Sequence, residues 1–160
     1  MASRKPLVIV DGLLRQMAVG DILDAQLNEV DFVAADNDEI GAIVVGTPVY
    51  INGADTVKKA LADAIGTSNV LGLVVDVTVA ASDPARILTD GRLAATTAQW
   101  DAVTGEVGGL TAGAVYYLDP TTAGNLTMTA PTADTEVVAR IGKALSTTIL
   151  EVSISQPILL

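Results

Sequence analysis

The residue types that carry out most covalent catalysis are missing from this chain. It contains no histidine and no cysteine, which excludes Ser-His-Asp and Cys-His nucleophilic systems and the usual zinc sites. The sequence also contains no S-x-x-K arrangement, no G-x-S-x-G elbow and no phosphate-binding glycine loop. What remains is a carboxylate pair, Asp101 and Glu106, beside Trp100. We therefore expect no enzymatic activity and no cofactor.

Acidic side chains are the other group that could do chemistry, because their oxygens can bind metal ions. Residues 36–39 (DNDE) form the densest acidic run, and oxygen ligands at alternate positions could hold calcium. The run lacks the glycine and the distal glutamate of an EF-hand loop, and a solvated turn is the commoner structure for such a run. Asp119, followed by Pro120, is also typical of a turn. We expect no metal site.

Charge and hydropathy limit the partners of the protein. The chain has 160 residues, 19 of them acidic and 9 basic, which gives a formal net charge of -10. Such a charge repels phosphate backbones, so direct nucleic-acid binding is not expected. No apolar run reaches the roughly 18 residues of a membrane-spanning helix, and the apolar residues 7–10 are too few for the core of a signal peptide. We predict neither a membrane partner nor a targeting segment.

Short β-branched runs separated by Gly, Asp, Asn and Pro predict strands joined by turns. The fold class is therefore all-β, a small barrel or sandwich. The predicted strands are 7–10, 30–34, 42–45, 48–51, 70–79, 86–88, 115–118, 126–129, 136–145 and 148–154. One short helix is expected over 96–103, where Thr96 or Thr97 can cap the start and Gly105 ends it.

An internal repeat is suggested by two segments with the same spacing. Residues 46–52 (GTPVYIN) can be aligned with 113–119 (GAVYYLD). This predicts two related β units, 41–95 and 106–155, within a barrel-like domain over 30–160 that follows an N-terminal arm and first strand over 1–29. Residues 55–65 remain open to two interpretations. Their apolar spacing fits a helix ending at Gly66, whereas the repeat makes 57–60 the return strand of a hairpin.

These segments also carry a resemblance. Gly46-x-x-Val49-Tyr50 followed by VLGLV at 70–74 resembles the small β-barrel proteins that decorate phage capsids. The stretch 109–127 and RIGKAL at 140–145 resemble segments that recur in phage virion proteins, in both decoration proteins and fibres. The opening KPLVIVDG at 5–12 is similar to the N-terminal stretches of phage structural proteins. The doubled unit and the N-terminal arm depart from a simple decoration protein.

The resemblance implies a capsid decoration, or cement, protein that binds the outer surface of a phage head and stabilises it. Its partners would be the major capsid protein and further copies of itself, most simply a trimer at threefold junctions. It would be made in the host cytoplasm and then reside on the virion. The alternative is a tail-fibre or baseplate-associated virion protein that takes part in receptor binding or fibre attachment. That role would favour an exposed aromatic ring, for which Trp100 is the candidate.

Two apolar segments are candidates for the contacts with partners. The N-terminal arm combines the locally basic start of an acidic chain with a strand that could add to the edge of a neighbouring sheet. The C-terminus ends in apolar residues, which are unfavourable in water unless they are covered by the fold or by another subunit. The residues predicted to contact the capsid are Lys5, Pro6, Leu7, Val8, Ile9, Val10, Leu13 and Leu14, and those predicted to contact another subunit are Pro157, Ile158, Leu159 and Leu160.

Overall fold

The computed structural model describes residues 32–160 together with the backbone of two strands in the N-terminal segment. Within this part the chain is mostly β, with two short helices. The strands in order are β1 (Leu7–Val10), β2 (Leu13–Gln16), β3 (Phe32–Asn37), β4 (Ile43–Val44), β5 (Pro48–Gly53), β6 (Thr56–Lys59), β7 (Val70–Val74), β8 (Thr78–Val79), β9 (Pro84–Leu88), β10 (Asp90–Ala94), β11 (Val115–Leu118), β12 (Leu126–Thr127), β13 (Val137–Val138), β14 (Arg140–Ala144), β15 (Ile149–Ser153) and β16 (Ile158–Leu159). The helices are α1 (Ile65–Ser68) and α2 (Thr97–Thr104).

Residues 32–88, which we call the first unit, form a closed five-stranded barrel. Its strand order is β3-β6-β5-β7-β9, and β9 returns to pair with β3. All but one of the pairings are antiparallel. The exception is β3 with β6, which run parallel with Asp36 opposite Thr56. This one parallel pairing closes the sheet and removes its free edges.

Residues 90–153, the second unit, repeat the same arrangement without the closure. The strand order is β10-β15-β14-β11-β12, so each strand has the same neighbours as its counterpart in the order β3-β9-β7-β5-β6. Helix α2 follows β10 and contributes Trp100 and Val103 to the core. The second unit is therefore an open version of the first, and α2 supplies apolar side chains to it.

Details of the backbone match between the two units. Gly46 and Gly113 precede β5 and β11 with φ of 84° and 83°, a conformation that L side chains rarely adopt. The register shifts between Val49 and Tyr50 in the first unit and between Tyr116 and Tyr117 in the second. The structure thus places residues 46–52 and 113–119 at equivalent positions, as the sequence alignment has them.

Two cores stabilise this arrangement. The interior of the barrel is lined by Ala35, Ile43, Val49, Val57, Val74, Val79, Ala85 and Ile87. A larger core joins the two units, with Trp100, Tyr116, Leu118, Leu126, Ile141 and Leu150 from the second unit and Leu73 and Leu88 from the first. Because side chains alternate along a strand, Leu73 and Leu88 lie on the outside of the barrel, opposite in direction to Val74 and Ile87. The part of the outer face of the first unit that carries Leu73 and Leu88 is therefore buried in the core shared with the second unit.

Most predicted elements are confirmed, and the differences have local causes. The helix at 96–103 is α2, and 57–60 largely belong to the hairpin strand β6, so the helical interpretation of 55–65 was wrong and a single turn, α1, begins only at Ile65. The predicted strand 70–79 is two strands, because the Asp76 carboxylate accepts the Arg86 backbone N–H at 2.8 Å and the chain bends there. The predicted strand 136–145 is likewise divided into β13 and β14. Strands β2, β10 and β16 were not predicted.

Candidate docking surfaces

The side chains that the sequence offers for a catalytic or sugar-binding site make structural contacts. Trp100 is fully buried, and its Nε1 donates to the carbonyl oxygen of Thr148 at 3.1 Å. The Asp101 carboxylate accepts the backbone N–H groups of Gly108 and Gly109 at 3.3 and 2.6 Å. Glu106 accepts the Tyr116 hydroxyl at 3.1 Å. The proposal that Trp100 is a free ring for ligand stacking was wrong, since α2 turns this ring into the core.

The Tyr116 hydroxyl links two chain segments next to this core. It accepts the Thr111 backbone N–H at 2.9 Å and donates to Glu106. Burial raises the pKa of Tyr116, and the nearby Glu106 carboxylate adds to that effect. Because both its donor and its acceptor capacity are used, the group fixes the loop before β11.

The acidic run 36–39 holds two loops together. Asn37 is fully buried, and its Nδ2 donates to the carbonyl oxygens of Gly41, Val79 and Ala80. Glu39 accepts the backbone N–H of Lys59 at 2.9 Å. Within the part of the chain that the structure describes, no group of three or more acidic, histidine or cysteine side chains is arranged to hold a metal ion. The run serves as a connection between the barrel strands.

Two further carboxylates have lowered pKa values for local reasons. The hydrogen bond from Asn52 and the ammonium of Lys58, 3.3 Å away, hold the pKa of Asp38 below its usual value. For Asp119, burial alone would raise the pKa, but hydrogen bonds from Thr121 and Thr122 more than offset it and lower the pKa. The Asp119 carboxylate accepts both backbone N–H groups at 2.7 and 2.8 Å. Asp119 therefore stabilises a turn, as the sequence predicted, whereas Asp38 connects the end of β3 to β5 and β6.

The predicted C-terminal contact segment lies at the surface. Strand β16 pairs antiparallel with β13, with Ile158 opposite Val138 and Leu159 opposite Val137. This pairing leaves Ile158, Leu159 and Leu160 exposed at 63%, 56% and 45%. Pro157 is half-buried. The segment is an apolar edge that the fold itself does not cover, so it is available to another protein surface.

The predicted N-terminal contact segment is described in part. Strands β1 and β2 pair antiparallel from Leu7 opposite Gln16 to Val10 opposite Leu13, which leaves the dipeptide Asp11-Gly12 between them. Leu7, Val8, Ile9, Val10, Leu13 and Leu14 belong to this hairpin, whereas Lys5 and Pro6 lie outside the described residues. The first strand thus pairs with its sequence neighbour, the strand that was not predicted.

The outer faces of the two units differ in character at matched positions. In the first unit, one row of side chains across the sheet contains Pro48, Leu73, Leu88 and Phe32, each opposite the next. In the second unit the matching row contains Val115, Lys143, Glu151 and Arg92. Leu73 and Leu88 are buried, while Lys143, Glu151 and Arg92 are exposed. The same strand arrangement therefore has an apolar row in one unit, buried at Pro48, Leu73 and Leu88 and exposed at Phe32, and a row of exposed charges in the other.

This charged row was missed at the level of the sequence. The basic residues look scattered along the chain, and only the pairing register of β10, β15 and β14 brings them onto one face. The alternation in 149–153 was visible, with Glu151 between buried Leu150 and Val152. The partners of that strand could not be read from the alternation.

A surface cleft of about 350 Å³ lies beside β9 and is lined by residues that include Ala34, Thr78, Pro84 and Arg86. The Arg86 guanidinium donates two hydrogen bonds to the same Asp76 oxygen, at 2.9 and 2.7 Å. The hydrogen bonds from Arg86 lower the pKa of Asp76. This ion pair satisfies Arg86 and Asp76, so we assign it a structural role, whereas Asp83 at the same cleft forms no ion pair with the described residues.

Comparison with family models and with curated proteins identifies no relative of this chain. No family model matches the chain, and no curated protein is similar enough to count as a match. No helix in the described part of the chain is long and apolar enough to span a membrane.

The candidate docking surfaces that the structure provides are the N-terminal hairpin, the C-terminal edge and the charged outer face of the second unit.

Proposed function

We propose that this chain is a non-enzymatic virion protein that binds the outer surface of a phage head and stabilises the shell. The observation that supports this most is the small closed barrel that the first unit forms. This is the kind of fold that the resemblance to decoration proteins implies. The major capsid protein would be its main partner, and copies of the chain would associate with one another.

The distribution of polar groups is consistent with this role. The polar side chains best suited to do chemistry, such as Asp101, Glu106 and Asn37, are hydrogen-bonded to backbone groups or to the Tyr116 hydroxyl. Apolar residues remain exposed on the C-terminal edge, where they can bury area against a neighbour at roughly 25 cal/mol per Å². Many modest contacts repeated over a shell add up through multivalency. Stabilisation of this kind needs surfaces and no reactive group.

The alternative, a fibre-associated receptor-binding protein, has less support. Its strongest candidate was Trp100, and that ring is fully buried. Tyr117 is only half-buried and lies on the outer face of β11. We keep this alternative as an outcome of the experiment below.

The test is to mix the purified full chain with capsids that lack it and to locate bound copies by cryo-electron microscopy. We expect density distributed over the head, at equivalent positions in the lattice. Density confined to a tail or fibre would favour the alternative, and the absence of bound density would overturn the proposal. Capsid stability against heating, measured with and without the protein, gives a second readout.

A variant tests whether the N-terminal hairpin makes the contact. Leu7→Asp with Ile9→Asp should abolish binding, because charged groups in a buried contact are strongly unfavourable. The matched control is Ile40→Asp with Val107→Asp, which changes two apolar residues that are almost fully exposed in the two units. The control should bind as the unmodified chain does. Equal binding by both variants would remove the hairpin from the contact.

A further inference from the structure

We propose that copies of this chain associate head-to-tail, with a basic face on the second unit of one copy against an acidic rim on the first unit of the next. The proposed function includes association between copies of the chain. This inference rests on that part of the proposed function and specifies which surfaces meet. The occupant of the exposed sheet face is thus a second copy of the chain. The charges, strand registers and burial of residues 32–160 support this arrangement.

The basic face is the outer side of β14, β15 and β10. The three basic residues of the second unit, Arg92, Arg140 and Lys143, are all exposed there. Lys143 and Arg92 flank Glu151 in the pairing register, and Arg140 lies opposite Tyr117. Glu151 and Asp90 are the carboxylates on this side. Every cation of the unit is therefore on one face of an otherwise acidic unit.

These cations are not used inside the described structure. The ion pairs within residues 32–160 are Lys58 with Asp38 and Arg86 with Asp76, so two of the first unit's cations are paired. Arg92, Arg140 and Lys143 have no carboxylate within 4.0 Å in that part of the chain. Their charges are available to an acidic surface.

The acidic rim is at one end of the barrel in the first unit. Asp36 on β3 lies opposite Thr56 of β6 and Pro84 of β9, and Asp55 and Asp83 immediately precede those two residues. All three carboxylates are exposed and form no ion pair with the described residues. Counting along the matched strands, Asp36 and Asp83 correspond to Thr96 and Ser146, which carry no charge. The rim is thus specific to the first unit, as the basic face is to the second.

The intramolecular packing shows that this sheet face can form an interface. In the first unit, Leu73 and Leu88 of the matching row are buried in the core shared with the second unit. In the second unit, the row is charged and open. A face that is complementary to a different patch on the same chain gives a heterologous contact, which closes into a ring when the rotation allows it. Complementary charge would set the orientation of the two copies.

The experiment measures the mass of the full chain by sedimentation velocity, without capsids. The unmodified protein should associate at about 0.05 M salt and dissociate at about 0.5 M, since exposed charges are screened within a Debye length. Lys143→Glu should weaken the association by about tenfold, whereas Val107→Glu, which adds a negative charge at an almost fully exposed residue outside both patches, should leave it within about twofold. A chain that stays monomeric at low salt would overturn the proposal.

Mixing two variants tests the head-to-tail geometry directly. Arg92→Gln with Lys143→Gln removes the charges of the basic face, and Asp36→Asn with Asp83→Asn removes those of the acidic rim. Each double variant should be monomeric alone, and the mixture should give heterodimers and nothing larger, because one intact face meets one intact rim. Variants that assemble normally alone, or a mixture that stays monomeric, would contradict the proposal. Thermal unfolding of each variant confirms that it folds, and capsid binding is measured separately, so the two proposals can fail independently.

Discussion

Gly72 and Gly142 occupy the same position in the two units, where β7 lies close to the backbone of β9 and β14 lies close to that of β15. A Cβ atom added to Gly72 would lie 2.3 Å from the carbonyl oxygen of Leu88, and one added to Gly142 would lie 2.2 Å from that of Glu151. Both distances are far shorter than a van der Waals contact, and the clashing atoms belong to backbone. These glycines are therefore required by close strand packing and not by a turn.

We predict that Gly72→Ala or Gly142→Ala lowers the free energy of unfolding by about 1–3 kcal/mol, the range for forced overpacking. Urea unfolding would show the loss as a lower midpoint with little change in slope. Gly66→Ala is the matched control, since nothing lies within 4 Å of the added Cβ and the residue is in α1. The control should be neutral or stabilising by up to about 1 kcal/mol. A neutral Gly72→Ala would show that the strands can separate to accommodate a methyl group.

The sequence predicted some side-chain roles and not others for a physical reason. The Asp119 turn could be predicted because its hydrogen bonds to Thr121 and Thr122 are local. The burial of Trp100 and the bonds of Asn37 to Val79 and Ala80 depend on contacts across many residues. No spacing in the sequence indicates those partners.

At the scale of elements, α2 was the clearest prediction because its signals are local. Thr96 accepts the Gln99 backbone N–H through its side chain at 3.3 Å, and Gln99 accepts the Thr96 backbone N–H at 2.8 Å. This reciprocal pair is a capping box. Gly105 then ends the helix in the left-handed conformation, with φ of 69°. Start and stop signals are thus both encoded within ten residues.

We predict that Thr96→Ala destabilises the protein by about 1 kcal/mol, the usual value of an N-cap hydrogen bond. Thr96→Ser keeps the hydroxyl and should retain most of the stability. Thermal unfolding followed by circular dichroism would measure both. Equal loss in the two variants would mean that the threonine methyl group, and not the cap, matters.

Strand prediction failed for segments whose composition is unlike a strand and which are strands only because a partner strand pairs with them. β10 was missed because Asp-Gly-Arg at 90–92 is unlike a strand in composition, yet β15 provides a pairing partner for it. β16 was missed because its two residues follow Pro157, and it is defined only by its pairing with β13. The hairpin at 57–60 was favoured by the internal alignment, since β5 and β11 are equivalent.

At the scale of the whole molecule, the two units share one apolar core, and they differ in the charge that their outer faces carry. The alignment of 46–52 with 113–119 suggested two related units. It could not indicate that the first unit closes into a barrel while the second remains an open sheet. That difference depends on the parallel pairing of β3 with β6 and on α2. The candidate basic face likewise required the full register of the second sheet.

We predict that matched positions in the two units respond differently to the same truncation. Leu73→Ala should cost about 2–5 kcal/mol, because it leaves a cavity in the shared core. Lys143→Ala, at the equivalent position of the second unit, should change stability by no more than about 0.5 kcal/mol. Chemical denaturation of both variants gives the comparison. A small effect of Leu73→Ala would mean that the units are joined by other contacts.

The strand pairing of each unit also determines when it can fold during synthesis. The barrel of the first unit is complete once residue 88 has been made, since β9 provides the last pairing for β3. β10 must wait for β15, which ends at Ser153. Because N-terminal domains fold first on the ribosome, the first unit would display Leu73 and Leu88 to solvent until the second unit has been translated. A nascent chain that pauses between residues 88 and 153 therefore exposes an apolar surface. Rapid translation through the second unit would shorten this exposure and so reduce aggregation.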